Sequence, residues 1–383
     1  MNQRDGRSTV DFNIHGLLTL RFVEPSTSVI ASYGDRLRPA LQPAGDHQAD
    51  IVVAFQDEIE TSGLQYVGLN KAGFDDDAFY LLDEVSGAVN ARIPFETIGG
   101  RCEILCRRGV KTVPLLTDIM LLTFLSKNYV PLHASAVVYE GAGQLFMGWA
   151  KGGKTGAMLS FMNHGAEFIG DEWILLSDDG RQMLGLPNPV SLSEWQFDHI
   201  PELRPEVSTG QRFFFMIVHA LGSLLATVKR SPFKKSYFAK MLGKAAPPLR
   251  RQLKVSKSPH KLFKGQIDSL RGAPDSIYWI VSHSAAGTTI EPHDPQEVAG
   301  RMAEANEYEQ RSFFELYRAF KYAFPCKKNS FLERAGAVQY SLLIKALAGK
   351  DVFKVRHPYA GPLEQLFNQL RSYRSNGSFD GQF

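Results

Sequence analysis

Short apolar runs set between Gly, Pro and Asp dominate the first third of the chain. Those at 10–14, 17–22, 51–55, 79–82 and 103–106 are rich in Val, Ile, Leu and Phe and too brief for helices. They predict strands, so residues 1–112 are expected to form a small, mostly β domain. The pattern then changes. Residues 114–124 (PLLTDIMLLTF) predict a helix leading into a second unit, 113–295. Within it, 144–147 suits a buried strand, 155–162 carries helical apolar spacing, and 276–281 reads as a late strand. From 296 to 383 the pattern is mainly helical, with Phe313, Phe314, Leu316, Tyr317 and Phe320 forming an aromatic stripe expected to pack in a core. Residues 352–355 predict a returning strand, 363–370 a closing helix, and SYRSNGSFDGQF a frayed end. Strands and helices mixed in this way put the chain in the α/β class.

One apolar run is harder to place. Residues 213–228 (FFFMIVHALGSLLATV) number 16 and include His219, short of the ~20 that span a bilayer. A buried helix is the expectation. The alternative is a helix lying in a membrane interface, since a polybasic segment follows that anionic lipid would attract. That segment, 229–264, holds 12 Lys or Arg and no Asp or Glu, against a formal charge of +3 for the whole chain. As an insertion in the second unit it is placed to overhang a site there, where it would draw an anionic small molecule or peptide. No nucleic-acid reader motif accompanies it, so nucleic acid is not an expected partner. Self-association as an oligomer stays open.

Composition narrows the class further. Hydrophobic residues make up 44% and charged residues 22%, the balance of a globular chain and not of a disordered one. Three cysteines, Cys102, Cys106 and Cys326, are too few for a disulfide framework, and no neighbouring ligand turns Cys102 and Cys106 into a metal site. The first ten residues lack an apolar signal core. A cytoplasmic enzyme is expected, with contact at the inner membrane face as the variant.

The chemistry concentrates at 148–156. Gly148, Trp149, Ala150, Lys151, Gly152, Gly153, Lys154 and Thr155 match the phosphate-binding loop pattern G-x-x-x-x-G-K-[ST], and Gly156 follows. Glycines let the backbone turn its N–H groups inward, and the helix start adds a positive dipole end. Lys154 would reach the β and γ phosphates of ATP, and the Thr155 hydroxyl would sit on Mg²⁺. Lys151 adds a cation beside the phosphates or faces solvent, and Trp149 covers the loop or packs on its neighbours.

Residues 130–176 around that loop resemble the nucleotide-binding core of the HPr kinase/phosphorylase family, which shares a P-loop fold with phosphoenolpyruvate carboxykinases. The resemblance rests on His133, the turn at 140–143, the loop itself and Asp171-Glu172, which lie 17 residues beyond Lys154. It implies an ATP- and Mg²⁺-dependent kinase. Asp171, His133 and Lys154 would be catalytic, with Thr155, Asp171 and Glu172 around the metal. Two acids beside one metal can divide the work of metal holding and proton acceptance. Adjacent strand residues alternate in direction, so one of the pair is expected to face away. Thr155 replaces the family's usual serine but keeps the hydroxyl, so metal binding is not expected to change, whereas Glu172 stands where the family has a second aspartate and its role is less fixed. The family's Pro-Gly-Arg step is absent, so phosphorolysis and the HPr substrate are not implied; the acceptor would be a hydroxyl on a peptide, a protein Ser or a small metabolite. A nucleotide-gated assembly ATPase and a carboxykinase-like enzyme are the alternatives, since fold does not fix function.

Overall fold

The computed structural model describes residues 2–4, 7–37, 40–42, 48–68, 72–198, 200, 208–230, 254–358 and 361–377. Most of the basic insertion (231–253) and the end of the tail (378–383) lie outside them, and with them most of the expected overhanging lid; the described half of the expected frayed end, 372–377, is helical instead.

The N-terminal runs form one sheet. Its strands are β1 (Asn2–Arg4), β2 (Arg7–Ile14), β3 (Leu18–Val23), β4 (Leu41–Gln42) and β5 (Ile51–Gln56). They are joined by β6 (Gln65–Tyr66), β7 (Ala72–Phe74), β8 (Ala78–Leu82), β9 (Val89–Pro94) and β10 (Cys102–Arg107). The order is β1-β2-β3-β5-β10-β9-β8-β7-β6, with β4 beside β2. All five predicted runs fall in these strands, with only Leu17 left in the turn before β3. Helix α1 (Thr27–Leu37) was not foreseen, because only Val29, Tyr33 and Leu37 are buried on it, a stripe too thin to register as periodicity. Helix α2 (Leu116–Ser126) packs in the same core, as does α7 (Arg311–Ala323). The aromatic stripe of α7 closes on the sheet: the Phe320 ring lies 4.0 Å from Phe95 and 5.6 Å from Phe79. Apolar packing thus runs across both 112 and 295.

The second major sheet bears the loop. Its strands are β12 (Ala134–Tyr139), β13 (Ala142–Met147), β14 (Glu167–Gly170), β20 (Ser276–His283), β21 (Thr289–His293) and β22 (Val352–Pro358), in the order β14-β12-β13-β20-β22-β21. Strands β13, β20 and β22 are parallel, and β14 shares their direction because β13 and β14 both run antiparallel to β12. Glu140 and Gly141, with φ of 51° and 77°, make the tight turn that joins β12 to β13. On one face lie α3 (Lys154–Met162) and α9 (Leu363–Gly377); on the other, α6 (Pro295–Glu309) and α8 (Ala335–Leu347). Both faces of β13 are therefore buried, which explains its continuous apolar run. The last third of the chain is not wholly helical. Strand β22 inserts between β20 and β21, so the sheet is completed only after residue 350.

Smaller pieces surround the loop's edge. Strands β11 (Tyr129–Leu132), β15 (Ile174–Ser177), β16 (Met183–Gly185) and β19 (Arg271–Gly272) form a third sheet, and β17 (Val190–Ser193) pairs with β18 (Lys254–Lys257). A one-turn helix, α5 (Pro259–Leu262), follows β18. The run 213–228 lies in α4 (Thr209–Arg230), and over 213–220, where side chains are described, the helix is only partly buried. Phe215 and Val218 are buried, whereas Phe213, Met216 and Ile217 are exposed. Apolar residues thus occupy several sides of the helix over 213–218, and only one stripe of them meets the core. Among the described residues no helix is long and apolar enough to cross a membrane.

Candidate active site

Four strands that point the same way end at one edge of the loop-bearing sheet, the place where open α/β sheets gather ligands. Strand β13 ends at Met147 and the chain turns at Gly148, whose φ of 151° and close approach to the Ile280 carbonyl leave no space for a Cβ. The turn is closed by Gly152 N–H donating to the Trp149 carbonyl at 3.0 Å. Gly153 (φ 104°) caps α3, and a Cβ there would collide with the His357 imidazole. Gly153→Ala is accordingly expected to destabilise the fold by about 1–3 kcal/mol, read from the urea midpoint. Helix α3 starts at Lys154, so its first-turn N–H groups have no helical acceptor and stand at the positive end of the dipole.

Two residues from other strands hold the loop from behind. Ser282 Oγ, in β20, donates to the Gly152 carbonyl at 2.8 Å, and His357 Nε2, in β22, lies 3.3 Å from the same oxygen. Lys154 is buried beneath the loop and donates to the carbonyls of Gly148 (3.1 Å) and Trp149 (2.8 Å). Burial lowers its pKa to about 8, against the opposing charges of Asp171, Glu172 and Glu309. An ammonium is needed to hold a phosphate. Triphosphate affinity should therefore be full below about pH 8 and fall about tenfold per unit above it, as Lys154 in the free protein loses its proton. Titration calorimetry between about pH 7 and 9 checks this; an unchanged affinity contradicts it.

Asp171 and Glu172 follow β14 in a turn instead of sitting within the strand. Glu172 takes a left-handed conformation (φ 75°), which breaks the alternation, and both acids line the same pocket. The expectation that one would face away is thus corrected. Asp171 is 2% exposed; it accepts from Ser135 Oγ at 2.5 Å and from Thr155 Oγ1 at 3.1 and 3.2 Å to its two oxygens. Burial raises its pKa, while these hydrogen bonds and Lys154 oppose the rise. Glu172 is raised too, by burial first and then by the negative charge of Asp171.

His133 sits at the break between β11 and β12, its ring 5.7 Å from Trp173. The His133 backbone N–H donates to Asn306 Oδ1 at 3.0 Å, and Asn306 Nδ2 donates to the Pro131 carbonyl at 2.7 Å, so α6 pins this break. Its Nδ1 lies 3.2 Å from Glu309 Oε1, off the line of a hydrogen bond, and its Nε2 lies 3.8 Å from Glu172. Contact with His133 holds the Glu309 carboxyl below its ordinary range.

These groups enclose a pocket of about 240 Å³. Of the residues singled out in the sequence, His133, Ala150, Lys151, Gly152, Gly153, Lys154, Thr155, Gly156, Asp171 and Glu172 line it. Gly148 and Trp149 do not; their carbonyls face Lys154, and the half-exposed Trp149 ring packs on Tyr308 at 4.7 Å. Lys254, at the described end of the basic insertion, lines the pocket as well, and the remaining wall was missed: Ser191, Ser193, Trp195, Gln196 and Glu309. Among the described residues no group of three or more His, Cys, Asp or Glu gathers as a self-contained metal cage. Mg²⁺ is commonly held by one or two carboxylates together with substrate phosphates, and the oxygen donors of Thr155, Asp171 and Glu172 fit that mode. Compared with protein-family models and with curated proteins, the chain matches none.

Proposed function

We propose that this chain is an ATP-dependent phosphotransferase with a P-loop core of the HPr kinase/phosphoenolpyruvate carboxykinase type, passing the γ-phosphate to a hydroxyl. The observation that carries the reading is the contact of Thr155 Oγ1 with both oxygens of Asp171, inside the pocket that Lys154 also lines. It joins the phosphate loop to a buried acid, the pairing that phosphoryl transfer requires.

Lys154, now bonded to two loop carbonyls, would exchange them for phosphate oxygens and neutralise charge on the transferred group. The N–H groups at the start of α3 would hold the remaining oxygens. Bound Mg²⁺, held by Thr155 with Asp171 or Glu172, would supply further charge neutralisation. Asp171, its pKa raised by burial, is a stronger base in its ionised form than an ordinary carboxylate and is placed to take the acceptor's proton. Glu172 is the second acid, and His133, fixed by Asn306 and flanked by Glu309, orients it. The acceptor would enter along Ser191, Ser193, Gln196 and Lys254. That wall is polar and basic, and with Lys151 it favours an anionic small molecule or an acidic peptide.

Incubating the protein with γ-labelled ATP, Mg²⁺ and a panel of Ser-containing acidic peptides and anionic hydroxy metabolites tests the proposal. Label is expected in an acceptor with wild type and not with Asp171→Asn. Nucleotide binding with label released only as phosphate would favour a hydrolysing switch instead.

A further inference from the structure

Over its described side chains, helix α4 is apolar on two opposite faces. Phe215 and Val218 are buried on one. On the other, Phe213, Met216 and Ile217 are 58%, 58% and 40% exposed, and Ala220 is exposed beside them. With about 100° of rotation per residue, these four positions fall within about 100° of the helix circumference, opposite the buried stripe. Scattered apolar side chains are normal at a surface, but a contiguous stripe marks a contact. The sequence adds charge to it. Helix α4 ends at Arg230, and residues 229–264 hold 12 Lys or Arg and no Asp or Glu. The helix is also tied to the candidate active site: His219 Nε2 lies 2.6 Å from Glu194 Oε2, and the next residue, Trp195, lines the pocket.

We propose that the exposed face of α4 docks on an anionic lipid surface, lying in the interface without crossing it. Phe213, Met216 and Ile217 enter the boundary between headgroups and acyl chains, and the positive charge that follows α4 in the sequence is drawn to acidic headgroups. A second copy of this chain is the poorer occupant for two reasons. Four side chains on two helical turns bury far less than the roughly 1,200 Å² of a stable interface. A symmetric contact through α4 also draws together two segments that each carry 12 basic residues, and like charges repel. The inference is independent of the phosphotransfer reading.

Co-sedimentation of the full chain with phosphatidylserine-containing vesicles, and with vesicles of phosphatidylcholine alone, tests the proposal. Binding to the anionic vesicles is expected, about tenfold or more weaker to the neutral ones, and falling as salt is raised. The double variant Met216→Gln/Ile217→Gln should lose about tenfold or more in vesicle affinity. Its melting temperature should stay that of wild type, because both side chains already face solvent. Met216→Trp adds a second readout: its extra emission should shift to the blue on anionic vesicles, which reports entry into lipid and not adsorption by charge alone. Lys154→Ala should bind vesicles normally, which separates this face from the nucleotide site. Failure to bind anionic vesicles overturns the proposal, and so does binding that the double variant leaves unchanged. A dimer seen by light scattering and dissociated by the double variant would give the face to a second copy, and likewise overturns it.

Discussion

Asp171→Asn is expected to lower phosphoryl transfer by about 10³-fold, while ATP affinity changes by no more than a few-fold. The side chain is fully enclosed, and Asn preserves its shape. Ser135 and Thr155 both donate to Asp171, and an Asn carbonyl oxygen still accepts from either. What Asn cannot do is take a proton. Because burial disfavours the charged carboxylate, the variant should melt no lower than wild type. Single-turnover transfer, measured beside calorimetric ATP binding and a thermal melt, separates these effects. A variant that transfers at the wild-type rate removes Asp171 from the chemistry.

Lys154→Ala should weaken triphosphate binding by about 100-fold or more, on the order of 3 kcal/mol, because it deletes a charged donor inside a buried cradle. The loss should be greater for ATP than for AMP, which lacks the β and γ phosphates. The truncation also frees the carbonyls of Gly148 and Trp149, so circular dichroism must show the fold intact before the affinity is read. Equal losses for ATP and AMP would mean that the loop collapsed and that the phosphate contact was not what was lost.

Much of the cradle was legible because it is local. Glycine spacing, the apolar run of β13 and the helical spacing of α3 occupy one short stretch, and the physics of a loop between strand and helix acts within it. The acids were also within reach, one helix and one strand further on. What supports them was not. Asn306 and Glu309 arrive on α6 some 170 residues after His133, and in the sequence they look like any polar residues of an exposed helix. Ser282 and His357 reach Gly152 only because β20 lies parallel beside β13 and β22 parallel beside β20, pairings that no local pattern specifies. The orientation of Glu172 depended on one left-handed residue, and glutamate gives no warning of that conformation. In the N-terminal region the strands were readable from composition, but α1 was not, since three buried side chains make a weak signal.

The most direct measurement is calorimetry of the wild-type chain with a non-hydrolysable ATP analogue and Mg²⁺ near neutral pH. One-to-one binding that strengthens with Mg²⁺ and weakens as the pH passes about 8 is the predicted result. Folded protein that gives no binding to adenine or guanine triphosphates contradicts the account.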